Sequence, residues 1–348
     1  MTAAPPSAPF TVFLNITNRC NLRCKHCSAS AGAPWDNELR TDEMLALIHQ
    51  MAELKIFKIY VTGGEPLTRP DFFEIADAID CGRFAWTLNS NGTLVDAGKA
   101  ERLAAYRFLK GVAVSLDGPN AEVNDGLRGR GAFQKAIRGI EQLRQHGLGV
   151  NISSVLTRLN ADHVVDMVHL AHDLGVDGIA FNSLHPVGRL NLNQRVLVLE
   201  PGQMAAVAQD LLEIQGDHPG FVHNDLAGWI RLYQQDPPQG GEPRHLLPCS
   251  AAKDACAIRP DGAVIPCNAM WDLVAGNVRH EDLATIWHTS PELQQVRDLA
   301  ELTVDRVPGC KGCKYVSLCS GGCRADAWLA TGSLMGHSPT CWLDRIVD

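Results

Sequence analysis

Val12-Phe13-Leu14-Asn15-Ile16-Thr17-Asn18-Arg19-Cys20-Asn21-Leu22-Arg23-Cys24-Lys25-His26-Cys27 joins an apolar run to three cysteines. The run Val12 to Ile16 reads as a β-strand, because β-branched and aromatic residues suit a pleated, half-buried surface. The cysteines follow on the next loop at C-x3-C-x2-C spacing. Three thiolates on one loop can hold three irons of a [4Fe–4S] cluster and leave the fourth without a protein ligand. Such clusters are normally closed by four cysteines, so an open iron is a reaction site. A zinc site or a disulfide competes for the same residues. Zinc asks for a fourth ligand, and this spacing is unusual for it.

Outward from this loop, the chain alternates short β-rich runs with amphipathic helices as far as about Arg189. Strands are expected at Val12–Ile16, Lys58–Thr62, Ala85–Asn89, Gly111–Ser115, Gly149–Ser153 and Gly178–Asn182. Helices are expected at Thr41–Leu54 (Thr41 as N-cap), Asp71–Ala78, Gly131–Gln145 and Ala161–Leu174. Such alternation with right-handed crossovers gives a parallel sheet covered by helices. Six units predict an α/β fold, a partial (β/α)6 TIM-like barrel, with functional groups at the C-terminal ends of the strands. Those ends carry Thr62-Gly63-Gly64-Glu65-Pro66, Asn89-Ser90-Asn91-Gly92, Ser115-Leu116-Asp117-Gly118, Ser153 with Ser154, and Asn182. Paired glycines let a backbone approach a ligand closely, and Glu65 suits an ammonium partner. His185, just past the sixth strand, faces the expected substrate side and is a candidate catalytic residue, although a lone histidine is more often structural.

Beyond residue 190 this rhythm stops. Pro201–Gln215 reads as a helix, and Asp236 to Pro243 as a loop rich in proline and glycine. Eight cysteines follow: Cys249, Cys256, Cys267, Cys310, Cys313, Cys319, Cys323 and Cys341. The turn at Pro260-Asp261-Gly262 suggests a hairpin presenting Cys267. Four cysteines from Cys310 to Cys323 are spaced C-x2-C-x5-C-x3-C, which taken alone also fits zinc knuckles. The expected organisation is a disordered tail over 1–10, the barrel over 11–190, a helical linker over 191–248 and a small cysteine-rich α+β domain over 249–348.

Composition narrows the function. A formal net charge of −8 disfavours a nucleic-acid partner held through its phosphates. No apolar run is long enough for a membrane span, and the N-terminus lacks the features of a signal peptide. A cytoplasmic location is expected, where twelve cysteines more often bind metal than form disulfides. Cys81 alone falls outside the patterned groups and reads as a buried or incidental thiol.

The cysteine triplet, Gly63-Gly64-Glu65-Pro66 in register with it, and the ordered C-terminal cysteines together resemble the radical S-adenosylmethionine (SAM) superfamily with a SPASM extension. The resemblance runs from residue 11 to 342. It implies that Cys20, Cys24 and Cys27 hold a cluster whose free iron binds SAM, and that one electron breaks a C–S bond of SAM to give a carbon radical. SAM contacts are implied at Gly63, Gly64, Glu65, Asn91, Ser115, Arg128 (as a carboxylate clamp) and Ser153. Two auxiliary clusters are implied, one on Cys249, Cys256, Cys267 and Cys323, the other on Cys310, Cys313, Cys319 and Cys341. That makes three [4Fe–4S] clusters plus SAM, each auxiliary cluster fully cysteine-coordinated.

The resemblance also implies an electron donor such as a flavodoxin or ferredoxin, and a peptide or small-molecule substrate. Most such enzymes modify peptides, and a second branch modifies tetrapyrrole side chains. Sulfatase-maturating relatives carry an aspartate base after the cysteine matching Cys267. Here Asn268 stands there and cannot accept a proton, which disfavours that activity. The barrel begins by residue 11, so no leader-binding domain is expected ahead of it, and a peptide would come by direct recognition or on a separate carrier protein. A non-catalytic Fe–S electron-transfer protein would explain the C-terminal cysteines, but not the open triplet beside Gly63-Gly64-Glu65.

Overall fold

A computed structural model describes residues 6–224, 240–247 and 249–341. Strands β1 (Thr11–Asn15), β2 (Lys58–Thr62), β3 (Ala85–Ser90), β4 (Leu109–Ser115), β5 (Val150–Val155) and β6 (Gly178–Asn182) pair in parallel in chain order. A period of two divides their side chains between two faces. Val12, Ile59, Val61, Trp86, Leu88, Val114 and Ile152 are at most 1% exposed and belong to one apolar core with the covering helices. Phe13, Tyr60, Thr87, Asn89, Ser115, Ser153 and Asn182 alternate with them and are half-buried, forming a mostly polar face.

The helices lie close to their expected places. They are α1 (Thr41–Glu53), α2 (Phe72–Cys81), α3 (Ala97–Ala104), α4 (Ala121–Arg128), α5 (Ala132–Gln145) and α6 (Val164–Asp173). Three helix ends differ from expectation. Arg40, not Thr41, caps α1, with Glu43 reaching back to the Arg40 amide, while the Thr41 hydroxyl donates to Asp71 at 2.7 Å. Cys81, expected as a buried or incidental thiol, ends α2 exposed. Arg128, outside every helix expected from the sequence, is the last residue of α4, a helix capped by the Asn120 side chain on the Val123 amide. Two turns interrupted by Gly126 give too little periodicity to read.

After β6 come α7 (Leu190–Leu197), α8 (Pro201–Asp217) and a short strand β7 (Val222–Asn224) that pairs in parallel with β6. The expected linker over 191–248 therefore begins as a seventh barrel unit. Residues 236–239 of the expected loop lie outside the described residues. The C-terminal part joins the same sheet. Strand β8 (Ala255–Ile258) pairs in parallel with β1, placing Cys256 opposite Val12. Antiparallel β9 (Ala263–Ile265) and β10 (Gly276–Asn277) continue it, so ten strands form one sheet. The expected hairpin is present, with Gly262 at φ +85° in its turn. Helices α9 (Leu283–Thr289), α10 (Pro291–Asp298) and α11 (Arg324–Thr331) are the remaining α-helices among the described residues. No described helix is long and apolar enough to cross a membrane.

The expected N-terminal tail is anchored from residue 6 on, and residues 1–5 lie outside the described residues. Trp287 Nε1 donates to the Pro6 carbonyl at 2.8 Å, and Phe10 stacks on Phe57 at 4.8 Å between ring centroids.

Arg279 fastens the C-terminal part to the barrel. Its guanidinium donates to both Glu43 oxygens (2.9 and 3.0 Å) and to the carbonyls of Asn37 and Glu38. This pairing holds the Glu43 carboxyl down at about 2, from an ordinary 4.5. A depressed carboxylate contributes stability above its unfolded pKa and loses it as pH falls toward the folded value. Arg279→Met is expected to cost about 2 kcal/mol near neutral pH. It should also flatten the stability decline between pH 4.5 and 2 relative to the unmodified protein. Denaturant titrations across that range check both; equal slopes would remove the pair from the account.

Candidate metal centre and active site

The cysteine loop sits at the C-terminal end of β1 and is held from several sides. The Cys20 amide donates to Gly32 and the Gly32 amide to Asn18. The Gly64 amide donates to Thr17 and the Glu65 amide to Arg19. A Cβ on Gly64 would lie 2.3 Å from the Arg19 carbonyl oxygen, so the loop and the Gly63-Gly64-Glu65 turn fit only because position 64 has no side chain. From the opposite rim, the Arg189 amide donates to Cys27, Nε to the Cys24 carbonyl at 2.9 Å and Nη1 to Ala31 at 2.9 Å. Gly188, at φ +64°, packs against the Ser28 and Cys27 carbonyls. Gly188 and Arg189 were not foreseen from the sequence; a glycine-arginine pair just past a barrel strand was the available signal.

Cys20, Cys24 and Cys27 share one space. Burial pushes the Cys20 thiol up to about 11, and Glu65, Cys24 and Cys27 add to the shift against a hydrogen bond from the Leu22 amide. Burial also raises Cys24, which Arg128 opposes and Asp117 and Cys27 reinforce. Backbone amides of Leu22 and Ala31 donate to the Cys20 and Cys27 sulfurs, both at 3.4 Å. Crowded thiols with donors already aimed at them fit a bound cation that deprotonates them. Tetrahedral zinc, with bonds of about 2.3 Å, would draw its sulfurs to about 3.8 Å apart. Among the described residues, no three cysteine sulfurs lie within 4.8 Å of one another. The residues thus fit a larger iron–sulfur core better than a single zinc ion.

The SAM-contact candidates divide. Ser115 on β4 and Ser153 on β5 are register neighbours, and Ser153 Oγ accepts from Asn182 on β6 at 3.0 Å. They form a polar floor across three strand ends. Gly63 and Gly64 lie against the cysteine loop. Glu65, expected to meet an ammonium group, is fully buried and already accepts from Ser90 Oγ (2.9 Å), the Asn91 amide (2.7 Å) and the Leu67 amide (3.2 Å). Burial nevertheless raises its carboxyl to about 7. Its side chain therefore ties β2 to β3. Asn91 likewise spends its side chain on Asn21 of the cysteine loop and on Thr93. Arg128, expected as a carboxylate clamp, is buried with Nε 2.7 Å from Asp117 Oδ2. Asp117 is 0% exposed, and the same oxygen meets His26 Nε2 at 3.2 Å. Burial opposes its charge, but Arg128 and His26 hold its carboxyl well below the usual range.

The C-terminal cysteines form two unequal groups. Cys313, Cys319 and Cys341 all act on the Cys310 thiol, so these four stand together. Cys249, Cys267 and Cys323 act on one another. Cys256, expected among them, does not join. Only burial and Arg297 act on its thiol, which sits inside the apolar core. Its place in the middle of β8 turns it into the packed layer rather than toward the loops. Arg324, 2% exposed, lies between the groups and is influenced by Cys310 and Cys319 on one side and Cys323 on the other. Asn268 donates no base; its Oδ1 accepts from Asn15 Nδ2 at 3.0 Å, joining the hairpin to the end of β1.

Comparison with known proteins agrees with this geometry. The pattern of the Radical SAM superfamily matches residues 14–171, and that of the SPASM iron–sulfur cluster-binding domain matches residues 249–314. The chain is 30% identical to an AdoMet-dependent heme synthase of Methanosarcina barkeri, over 97% of both chains. It is 31% identical to the mycofactocin maturase MftC of Mycobacterium tuberculosis, over 96% of this chain and 83% of that one. In fold it is similar to Streptococcus suis SuiB bound to its precursor peptide SuiA, with a TM-score of 0.77 at 16% identity, covering 97% of this chain and 76% of that one.

Proposed function

Because the chain belongs to the radical SAM superfamily and carries a SPASM domain, we propose that it reductively cleaves SAM and modifies a peptide side chain. The observation that carries the SAM step is the meeting of Cys20, Cys24 and Cys27 with the Gly63-Gly64 turn at the C-terminal end of β1. When bound, a reduced cluster of this kind supplies the electron that splits SAM and so starts hydrogen abstraction.

The residues divide the remaining work. Cys20, Cys24 and Cys27 hold the cluster. Gly63 and Gly64 bring backbone close to it. Ser115, Ser153 and Asn182 offer hydroxyl and amide contacts across the strand ends. Asp117 and Arg128 set a fixed charge pair beneath the loop, with His26 against the same carboxylate, and Arg189 closes the rim. The C-terminal cysteines would hold two further clusters able to take an electron from an oxidised substrate. A flavodoxin or ferredoxin would supply the first electron, and a carrier protein could present the peptide.

The peptide reading rests on the likeness to mycofactocin maturase. A second reading, modification of a tetrapyrrole side chain, rests on the likeness to a heme synthase over nearly its whole length. Anaerobic, reduced protein with SAM is expected to release 5′-deoxyadenosine; none would exclude catalysis of this type. The same reaction with a peptide encoded beside the gene should change the peptide's mass. A mass change confined to an iron-porphyrin substrate would replace the peptide reading with the second.

A further inference from the structure

Across β1 to β6, the mostly polar face of the sheet carries one charged side chain in register, and it is a cation. Lys58 opens β2 and shares this face with Tyr60, two residues on. Both are half-buried, although Ile59 and Val61 on the opposite face are packed to 1% exposure or less. Lys58 Nζ donates to the Tyr60 hydroxyl at 2.6 Å and stands 4.4 Å from the centre of its ring. Phe13, the register partner of Tyr60 on β1, stacks on that ring at 4.8 Å with 8° between the planes. Farther along the same face, Ala113 pairs with Asn89 and Ala180 with Ser153, so β4 and β6 present only methyl groups there. No Asp or Glu occupies a paired position on this face, and Lys110 falls in the β3–β4 bulge. Among the described residues, no carboxylate pairs with Lys58, whose hydrogen-bond partner is Tyr60.

We propose that Lys58 and Tyr60 bind a carboxylate of the substrate, with the stacked rings of Phe13 and Tyr60 as the wall beside it. An ammonium has three donors, and the Tyr60 hydroxyl accepts one of them while keeping its own proton to give. Two donor groups 2.6 Å apart match a carboxylate, whose two oxygens both accept. Without such a ligand, Lys58 is a charge half withdrawn from water with no counter-charge on its face. Other cations near the strand ends are already committed. Arg128 meets Asp117, Arg189 holds the Cys24 and Ala31 carbonyls, and His185 Nδ1 lies 3.0 Å from Asp326 Oδ1. Tyr60 stands two residues before the end of β2, about 7 Å along the strand. A carboxylate bound there leaves the rest of the substrate to reach toward the Gly63-Gly64 turn and the cysteine loop. Either proposed substrate supplies the group, as an acidic side chain on a tetrapyrrole or as a terminal or side-chain carboxylate on a peptide.

The assignment rests on the proposed reaction, and the test separates the two. Binding is measured anaerobically on the holoprotein with SAM present. One pair of probes is an iron porphyrin with free carboxylates and its ester. The other is the peptide encoded beside the gene and the same peptide with its carboxylates amidated. One free acid is expected to bind at least about tenfold more tightly than its neutral form, and the pair that shows this identifies the source of the carboxylate. Lys58→Met and Lys58→Gln should each remove the preference, Lys58→Arg should keep it, and Tyr60→Phe should reduce it. Equal binding of acid and neutral forms, no binding of either acid, or a preference unchanged without the Lys58 charge overturns the assignment. Release of 5′-deoxyadenosine by the unmodified protein then shows that the proposed reaction still stands. Its absence removes that reaction, while the preference for the acid is read independently of turnover.

Discussion

Cys24→Ala is expected to reduce 5′-deoxyadenosine formation to the level of the protein-free control while the C-terminal iron remains. The three thiols of the β1 loop are held by separate backbone contacts rather than by one another. Cys24 lies where Arg128, Asp117 and Cys27 all act on it, and its carbonyl is pinned by Arg189. Losing the sulfur leaves that backbone in place, so the fold should persist. Among the described residues, the cysteines acting on the Cys20 thiol are Cys24 and Cys27, so no fourth is placed to substitute. Two thiolates do not retain a cubane that is normally held by three or four. Iron analysis should therefore fall by one cluster's share, and SAM cleavage should vanish with it. Retained cleavage would move the reaction site away from this loop. Loss of all iron would mean that the clusters assemble only together.

The second large effect is expected at a residue that supplies no thiol. Asp117→Asn should destabilise the anaerobic holoprotein by about 3–5 kcal/mol, the cost typical of leaving a buried charge without its partner. Arg128 is 7% exposed and has its Nε against Asp117, and His26 shares the same carboxylate oxygen. The other oxygen, Oδ1, accepts from the Val155 amide at 2.8 Å, so Asp117 also joins β4 to β5. Replacing both partners, as Asp117→Asn with Arg128→Met, should recover much of the loss because no buried charge is then stranded. Chemical denaturation of the single and double variants measures this. A double variant as unstable as the single one would show that the Val155 contact, not the charge pair, carries the effect.

Much of the barrel was legible because it depends on local chemistry. Alternating apolar residues marked β2 and β6 to the residue, and β1, β3, β4 and β5 to within about two. The cysteine spacings identified the loop after β1 and the group from Cys310 to Cys323 because their ligands lie close in sequence. Short or interrupted elements were not legible: α4 spans two turns, and β7 has three residues. The docking of Pro6 on Trp287 was equally hidden, because it joins positions 281 residues apart.

By itself, the sequence determined the strand–helix order, the open cysteine triplet beside two glycines, and the number of thiols available farther on. Tertiary structure alone decided which of those thiols face a common space. Cys256 is patterned like its neighbours, yet the pairing of β8 with β1 turns it into the core. His185 and Asp326 are 141 residues apart and meet only because β6 and α11 are brought together. Spacing can report ligands carried on one loop, where the backbone fixes their separation. Which side chain completes a site between distant elements depends on strand pairing, facing and burial, and those exist only once the chain has folded.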